Sequence, residues 1–132
     1  MSRVIDAVVR RPKLLDAEAT VADARHCLAG GKVHAALVVD GDRLLTVILP
    51  EDVLDAHGDD RARDHGRTSG RTVAPDADLE TVRQDMITTG TRRLAVVDPQ
   101  MRLVGLLALK RSTRGFCTDE GIAARAAARS GG

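Results

Sequence analysis

Apolar positions along this chain come in blocks, and the blocks occur twice in the same order. Residues 18–40 align with 76–98 at a constant offset of 58, and after one inserted residue Arg43-Leu44-Leu45 aligns with Arg102-Leu103-Val104 at offset 59. Identities are few, but polar and apolar classes match throughout, the signature of a repeated structural unit. Each copy opens on a short β segment, Lys13-Leu14-Leu15 or Arg71-Thr72-Val73. An amphipathic helix follows. Its apolar face is Val21, Ala24 and Leu28 in the first copy and Leu79, Val82, Met86 and Ile87 in the second, and the i, i+3, i+7 spacing puts each set on one side of a helix. Thr20 and Asp78 precede these helices as N-caps, since their side-chain oxygens accept orphan backbone N–H groups. Gly30-Gly31 and Gly90 supply the C-terminal stops.

Two near-continuous apolar runs come next in each copy, 35–39 with 44–49 and 94–97 with 103–109. Runs of this kind predict strands covered on both faces or by helices on one. Gly41-Asp42 and Pro99-Gln100 make the turns between them. A helix is expected to close each copy. In the first it starts near Pro50, a residue favoured in a first helical turn, and continues through Val53, Leu54 and Ala56. In the second, Gly115 interrupts the pattern and helical spacing resumes over 119–129. Residues 58–70 hold no aliphatic side chain larger than Ala, so they read as a linker with little to add to a core. The expected organisation is therefore repeat one over 1–57, linker over 58–70 and repeat two over 71–132.

Composition narrows the chemistry. At 132 residues the chain makes one compact unit, large enough to bury roughly two thirds of the surface that it exposes when unfolded. It contains one Phe and no Trp or Tyr, so the core is aliphatic and platforms for stacking single-stranded nucleic acid are missing. Twenty basic residues stand against 19 acidic ones, and a net charge so near zero provides no field to steer the protein onto nucleic acid or an anionic membrane. Seventeen of the basic residues are Arg; with Ala and Gly also abundant, this reads first as codon bias, and as anion recognition only where an Arg holds a special position. No signal region or membrane-length apolar run is present, which predicts a cytoplasmic protein with Cys27 and Cys117 reduced. Cys27 falls in the first helical pattern as a small core residue.

The stretches TVADARHCLAGGKVHAALVVDGDRLLTVILPEDVL, residues 20–54, and DLETVRQDMITTGTRRLAVVDPQMRLVGLLALKRS, residues 78–112, carry a family resemblance. The most specific part is RRLAVVDPQMRLVGLL, in which a basic loop precedes a strand ending in Val-Asp, then a turn and a Leu-Val-Gly strand. Over nearly its whole length the chain resembles the CBS domain pair, or Bateman module. The resemblance implies an α/β fold of tandem β-α-β-β-α repeats related by a pseudo-twofold axis, with ligand clefts between the copies. It also implies a regulatory role, binding of adenosine compounds such as AMP, ADP, ATP or S-adenosylmethionine, and homodimerisation through helices. No catalytic or transport domain accompanies the pair in this sequence, so the module is expected to stand alone and regulate an unknown protein partner in trans.

The family's nucleotide motif, Gly-apolar-x-Ser/Thr-x-x-Asp, is only partly kept. The first copy reads Thr46-Val47-Ile48-Leu49-Pro50-Glu51-Asp52 and the second Gly105-Leu106-Leu107-Ala108-Leu109-Lys110-Arg111. Asp52 matches the position whose carboxylate accepts from both ribose hydroxyls; its other reading is a charge stabilising the first turn of a helix. At Arg111 a guanidinium, which cannot accept hydrogen bonds, stands where the second copy would carry that Asp. The family's second element is a basic residue before the middle strand that contacts phosphate. Arg92 and Arg93 match it, Arg93 being preferred, and His34 is the first-copy equivalent; the alternative for the arginine pair is a solvated surface. The resemblance thus implies a degenerate nucleotide site built from Asp52, Arg93, Arg92, His34 and Arg111.

Other classes find less support. The four His residues have no HxxxH or HExxH spacing and the two Cys form no CxxC pair, so a metal site is not expected. Nucleophile-elbow, P-loop and dinucleotide fingerprints are missing, and an enzyme is not expected either. The rival is a ligand-free protein–protein interaction module whose nucleotide site has degenerated, with the Ala-rich segment 119–129 packing on a partner or a second subunit. The apolar residues Val53, Leu54 and Ile122 point to a homodimer.

Overall fold

The computed structural model describes residues 2–10, 12–29, 35–110 and 112–117. Among these residues each copy has three strands and an α-helix: β1 (Leu14–Asp16), α1 (Val21–Leu28), β2 (Ala36–Asp40) and β3 (Arg43–Ile48), then β4 (Thr72–Val73), α2 (Leu79–Thr89), β5 (Arg93–Val97) and β6 (Leu103–Ala108). The strands form two three-stranded sheets in chain order, β1-β2-β3 and β4-β5-β6. In each, the first strand lies parallel to the central one and the third antiparallel. Both central strands carry an irregularity at the same place in the repeat, between Val38 and Val39 and between Val96 and Val97. Helix α1 is capped by Thr20, whose hydroxyl accepts from Asp23 N while Asp23 answers to Thr20 N. Helix α2 is capped by Asp78 and ends at Gly90 in a left-handed conformation.

Alternate side chains of the central strands serve different cores. In β2, Ala36 and Val38 pack under α1 with Val21, Ala24 and Cys27. In β5, Leu94 and Val96 pack under α2 with Val82 and Met86. The opposite faces, Leu37 and Val39 with Ala95 and Val97, meet in a third cluster that joins the two sheets. This burial on both faces is why the strands read as continuous apolar runs. Ile87 departs from the expected helix face. It is 40% exposed, while Val82 and Met86, with Leu79 beside them, face the cluster under α2.

The segments leading into each copy are exchanged between the halves. Residues 4–7 form a short 3-10 helix whose Val4 is fully buried in the second half, beside α2. Residues 62–64 form another, whose Ala62 is fully buried in the first half. Main-chain hydrogen bonds repeat at the offset of 58: Val4 N donates to Ala77 O and Ala62 N to Ala19 O, while Leu79 N donates to Ser2 O and Val21 N to Asp60 O. Further along, Val9 bridges to Leu106 and Arg67 to Val47. The stretch 58–70 therefore contributes to a core after all. It does so through backbone groups, which any sequence carries, and through one methyl group.

The closing helices differ from expectation as well. After Pro50 the chain makes only one 3-10 turn, Pro50–Val53. The Arg25 guanidinium donates to Val53 O at 3.0 and 2.7 Å and also to Ala56 O, so it satisfies carbonyls that the ended turn leaves without helical partners. Val53 is buried within its own half, and Leu54 is 74% exposed. In the second copy the chain turns back instead, with Lys110 N donating to Gly115 O and Cys117 N to Ala108 O. The expected helix over 119–129, and Ile122 within it, lie outside the described residues.

Candidate functional site

A cleft of about 420 Å³ opens between the halves. The first half contributes Leu49, Pro50 and Glu51, the crossing segment contributes Arg67, Gly70 and Arg71, and the turn from α2 into β5 contributes Thr89 through Arg93. The volume falls in the range of small-molecule sites. Among the described residues four arginines line it, Arg67, Arg71, Arg92 and Arg93. Their arrival there has local causes: Gly90 ends α2 and throws Thr91–Arg93 across the cleft floor, and Arg67 N and O pair with Val47 in the bridge that fixes the crossing segment.

Arg71 is the best-held of the four. Its side chain is only 8% exposed. Nη1 donates to Asp52 Oδ2 at 2.6 Å and to Val47 O at 2.8 Å, and Nη2 donates to Asp52 Oδ1 at 3.3 Å. This two-armed pairing is the strong arrangement for a guanidinium and a carboxylate. Asp52 Oδ2 also accepts from Leu49 N at 2.7 Å. Partial burial pushes the Asp52 pKa up, but the hydrogen bonds from Arg71 and Leu49 N–H and the charges of Arg71 and Arg67 outweigh it and hold the group below its ordinary value.

Arg92 and Arg93 are half-buried. Arg93 Nη1 donates to Arg92 O at 3.0 Å and Leu109 O at 3.3 Å, and Arg92 Nη2 donates to Leu109 O at 3.3 Å. Burial pulls the Arg93 pKa down, with Cys117 opposing and Arg92 adding to the effect; a guanidinium stays charged regardless. Among the described residues neither forms an ion pair.

Of the residues singled out from the sequence, Arg92 and Arg93 thus line one cleft, with Asp52 against its wall. Asp52 is not an open acceptor, because Arg71 holds both of its oxygens. His34 and Arg111 lie outside the described residues. Arg67 and Arg71 were missed. The signal for Arg71 was a basic residue at the head of a strand in a chain otherwise full of Arg; only the crossing of the two halves brings it to Asp52. Among the described residues no cluster of His, Cys, Asp or Glu is placed to hold a metal ion, and no helix is long and apolar enough to cross a membrane.

Comparison with known proteins adds a second line of evidence. The CBS domain family model matches residues 68–111. OpuCA of Staphylococcus aureus is 32% identical, over 78% of this chain and 88% of that one, with a TM-score of 0.60. CBSX2, solved in complex with AMP, is 23% identical over the full length of both chains, with a TM-score of 0.69. A CBS domain protein of Pyrobaculum aerophilum, complexed with AMP, is 22% identical over 85% of this chain and 95% of that one, with a TM-score of 0.66. The last two share the fold. No curated protein matches the chain.

Proposed function

This chain belongs to the CBS domain family as a tandem pair, and from that premise we propose that it is a regulatory module that binds a phosphorylated adenosine compound in the arginine-lined cleft and acts on a partner protein, with no catalysis of its own. The observation that carries this reading is the convergence of Arg67, Arg71, Arg92 and Arg93 on one cleft between the halves. Guanidinium groups pair with phosphate through parallel hydrogen bonds, and among the described residues that line the cleft the one carboxylate is Glu51, with Asp52 held against Arg71. The AMP complexes of CBSX2 and the Pyrobaculum protein favour an adenine nucleotide as the phosphate bearer. S-adenosylmethionine carries a sulfonium cation and no phosphate, so this cleft disfavours it.

Calorimetry with AMP, ADP, ATP and S-adenosylmethionine tests the reading. The expected result is one nucleotide per chain, affinity rising with phosphate count, and a loss of at least roughly tenfold in Arg93→Ala, the worth of a hydrogen bond to a charged group. No binding of any nucleotide at millimolar concentration would overturn it in favour of a ligand-free interaction module. A cytoplasmic homodimer belongs to the same proposal, supported by Leu54, Leu14 and Ile87 at the surface. A light-scattering mass equal to the 14.1 kDa of one chain would contradict the dimer.

A further inference from the structure

We infer that the Asp52 carboxylate is an internal competitor for the ligand's anionic group, occupying the Arg71 fork and holding down the anion affinity of the cleft. The inference rests on the reading of the cleft as an anion site and deepens it. An acceptor for a ribose diol needs both carboxylate oxygens open. In Asp52, Oδ2 already accepts from Leu49 N and Arg71 Nη1, and Oδ1 from Arg71 Nη2. Arg71 is in turn the most buried of the four cleft arginines and is fixed from a third side by Val47 O. Neither partner can turn to a ligand without the other being re-satisfied, because a buried charge stripped of its partner is costly.

A phosphate entering the cleft meets this pair in one of two ways. It can take the Nη1–Nη2 edge of Arg71, in which case Asp52 must leave it. It can instead approach beside the intact pair, in which case the carboxylate repels it at close range in a partly desolvated wall. Both routes weaken anion binding relative to a cleft with no charge at position 52. Arg92 and Arg93 carry no such internal anion among the described residues, since their hydrogen bonds run to backbone carbonyls. They form the open half of the site, and Arg71 the guarded half. The direction of effect is opposite to that of a ribose ligand, for which removing the carboxylate lowers nucleotide affinity.

The test uses inorganic pyrophosphate and AMP on the whole chain, titrated calorimetrically against wild type, Asp52→Asn, Arg71→Ala and the double variant. Asn keeps the shape and an acceptor for Leu49 N, and Asp52→Ser serves the same purpose if Asn impairs folding, which thermal melts report. The expected result is a gain of roughly three- to tenfold in pyrophosphate affinity on removing the charge, with the double variant binding more weakly than Asp52→Asn because it has no freed Arg71 fork to offer. Unchanged or weaker pyrophosphate binding in Asp52→Asn overturns the inference, as does loss of AMP binding with pyrophosphate unaffected, the mark of a ribose acceptor. Absence of pyrophosphate binding in both wild type and variant overturns it too. The nucleotide reading fails separately: wild type that takes pyrophosphate but no nucleotide refutes that reading, while a pyrophosphate gain in the variant leaves the competitor role standing.

Discussion

Val4 and Ala62 sit 58 residues apart in the chain and occupy equivalent places in opposite halves of the molecule, each fully buried beside the helix of the copy that it does not precede. Their amides donate to Ala77 O and Ala19 O at 3.0 and 2.9 Å. The halves are thus tied by their own leading segments as well as by the sheet-to-sheet contact. Val4→Ala is expected to destabilise the protein by about 2 kcal/mol through the cavity that it leaves. Ala62→Val, which adds bulk to a filled site, is expected to cost about 1–3 kcal/mol. Urea unfolding checks both, and a neutral result for either would mean that the segment is not held as described.

Gly66 and Gly105 mark where each crossing segment touches the other half's strand. A Cβ at Gly66 would lie 2.4 Å from Val47 O, and one at Gly105 would lie 2.6 Å from Val9 O. Gly66 also has φ of +75°, which a side chain disfavours. Gly66→Ala and Gly105→Ala are each expected to lower stability by more than about 2 kcal/mol, since backbone rather than a flexible side chain must yield. Native-state hydrogen exchange should show faster exchange at the Val47 and Arg67 amides in the first variant and at Val9 and Leu106 in the second. Wild-type protection there would refute the contact.

Asp52 gives a stability signature in acid. Its folded pKa lies below the ordinary value of 3.8, so its pairing stabilises the protein fully above about 3.8 and the benefit fades as pH falls through the lower, folded pKa. At pH 7, Asp52→Asn is expected to be less stable than wild type by about 1–3 kcal/mol, the range for hydrogen bonds to charged groups. The gap should narrow on acidification below about pH 4. Thermal melts across pH 3–7 measure it, and a gap independent of pH would exclude an ionised Asp52 as its source.

The two thiols should separate kinetically. Cys27, on the buried face of α1, is 6% exposed, whereas Cys117 is half-buried in the segment that turns back along Ala108. A colorimetric disulfide reagent is expected to modify Cys117 in native protein and Cys27 only on unfolding, with Cys117→Ser leaving no fast phase. Fast modification of both would refute the packing of α1 on β2.

The repeat, the α/β class, both helices and all of the paired strands but their end residues follow from the sequence itself. The reason is local: helix and strand periodicity, the caps Thr20 and Asp78 and the stop at Gly90 act within a few residues. Arg92 and Arg93 are singled out through the family resemblance, as basic residues before the middle strand, and both line the cleft between the halves. Tertiary structure alone decided the rest. Arg3-Val4-Ile5-Asp6 and Arg61-Ala62-Arg63-Asp64 repeat at the same offset, yet the exchange of these segments depends on backbone hydrogen bonds that no side-chain pattern announces. The turn after Pro50 ends at Val53, and Arg25, 28 residues away from Val53, satisfies the carbonyls left there, a partnership that no local pattern announces. Asp52 reads in one dimension as a free carboxylate at a helix start. Its partner Arg71 stands 19 residues on at the head of another sheet, and only the crossing of the halves brings the two charges together, because an ion pair is set by distance in space and carries no periodicity along the chain.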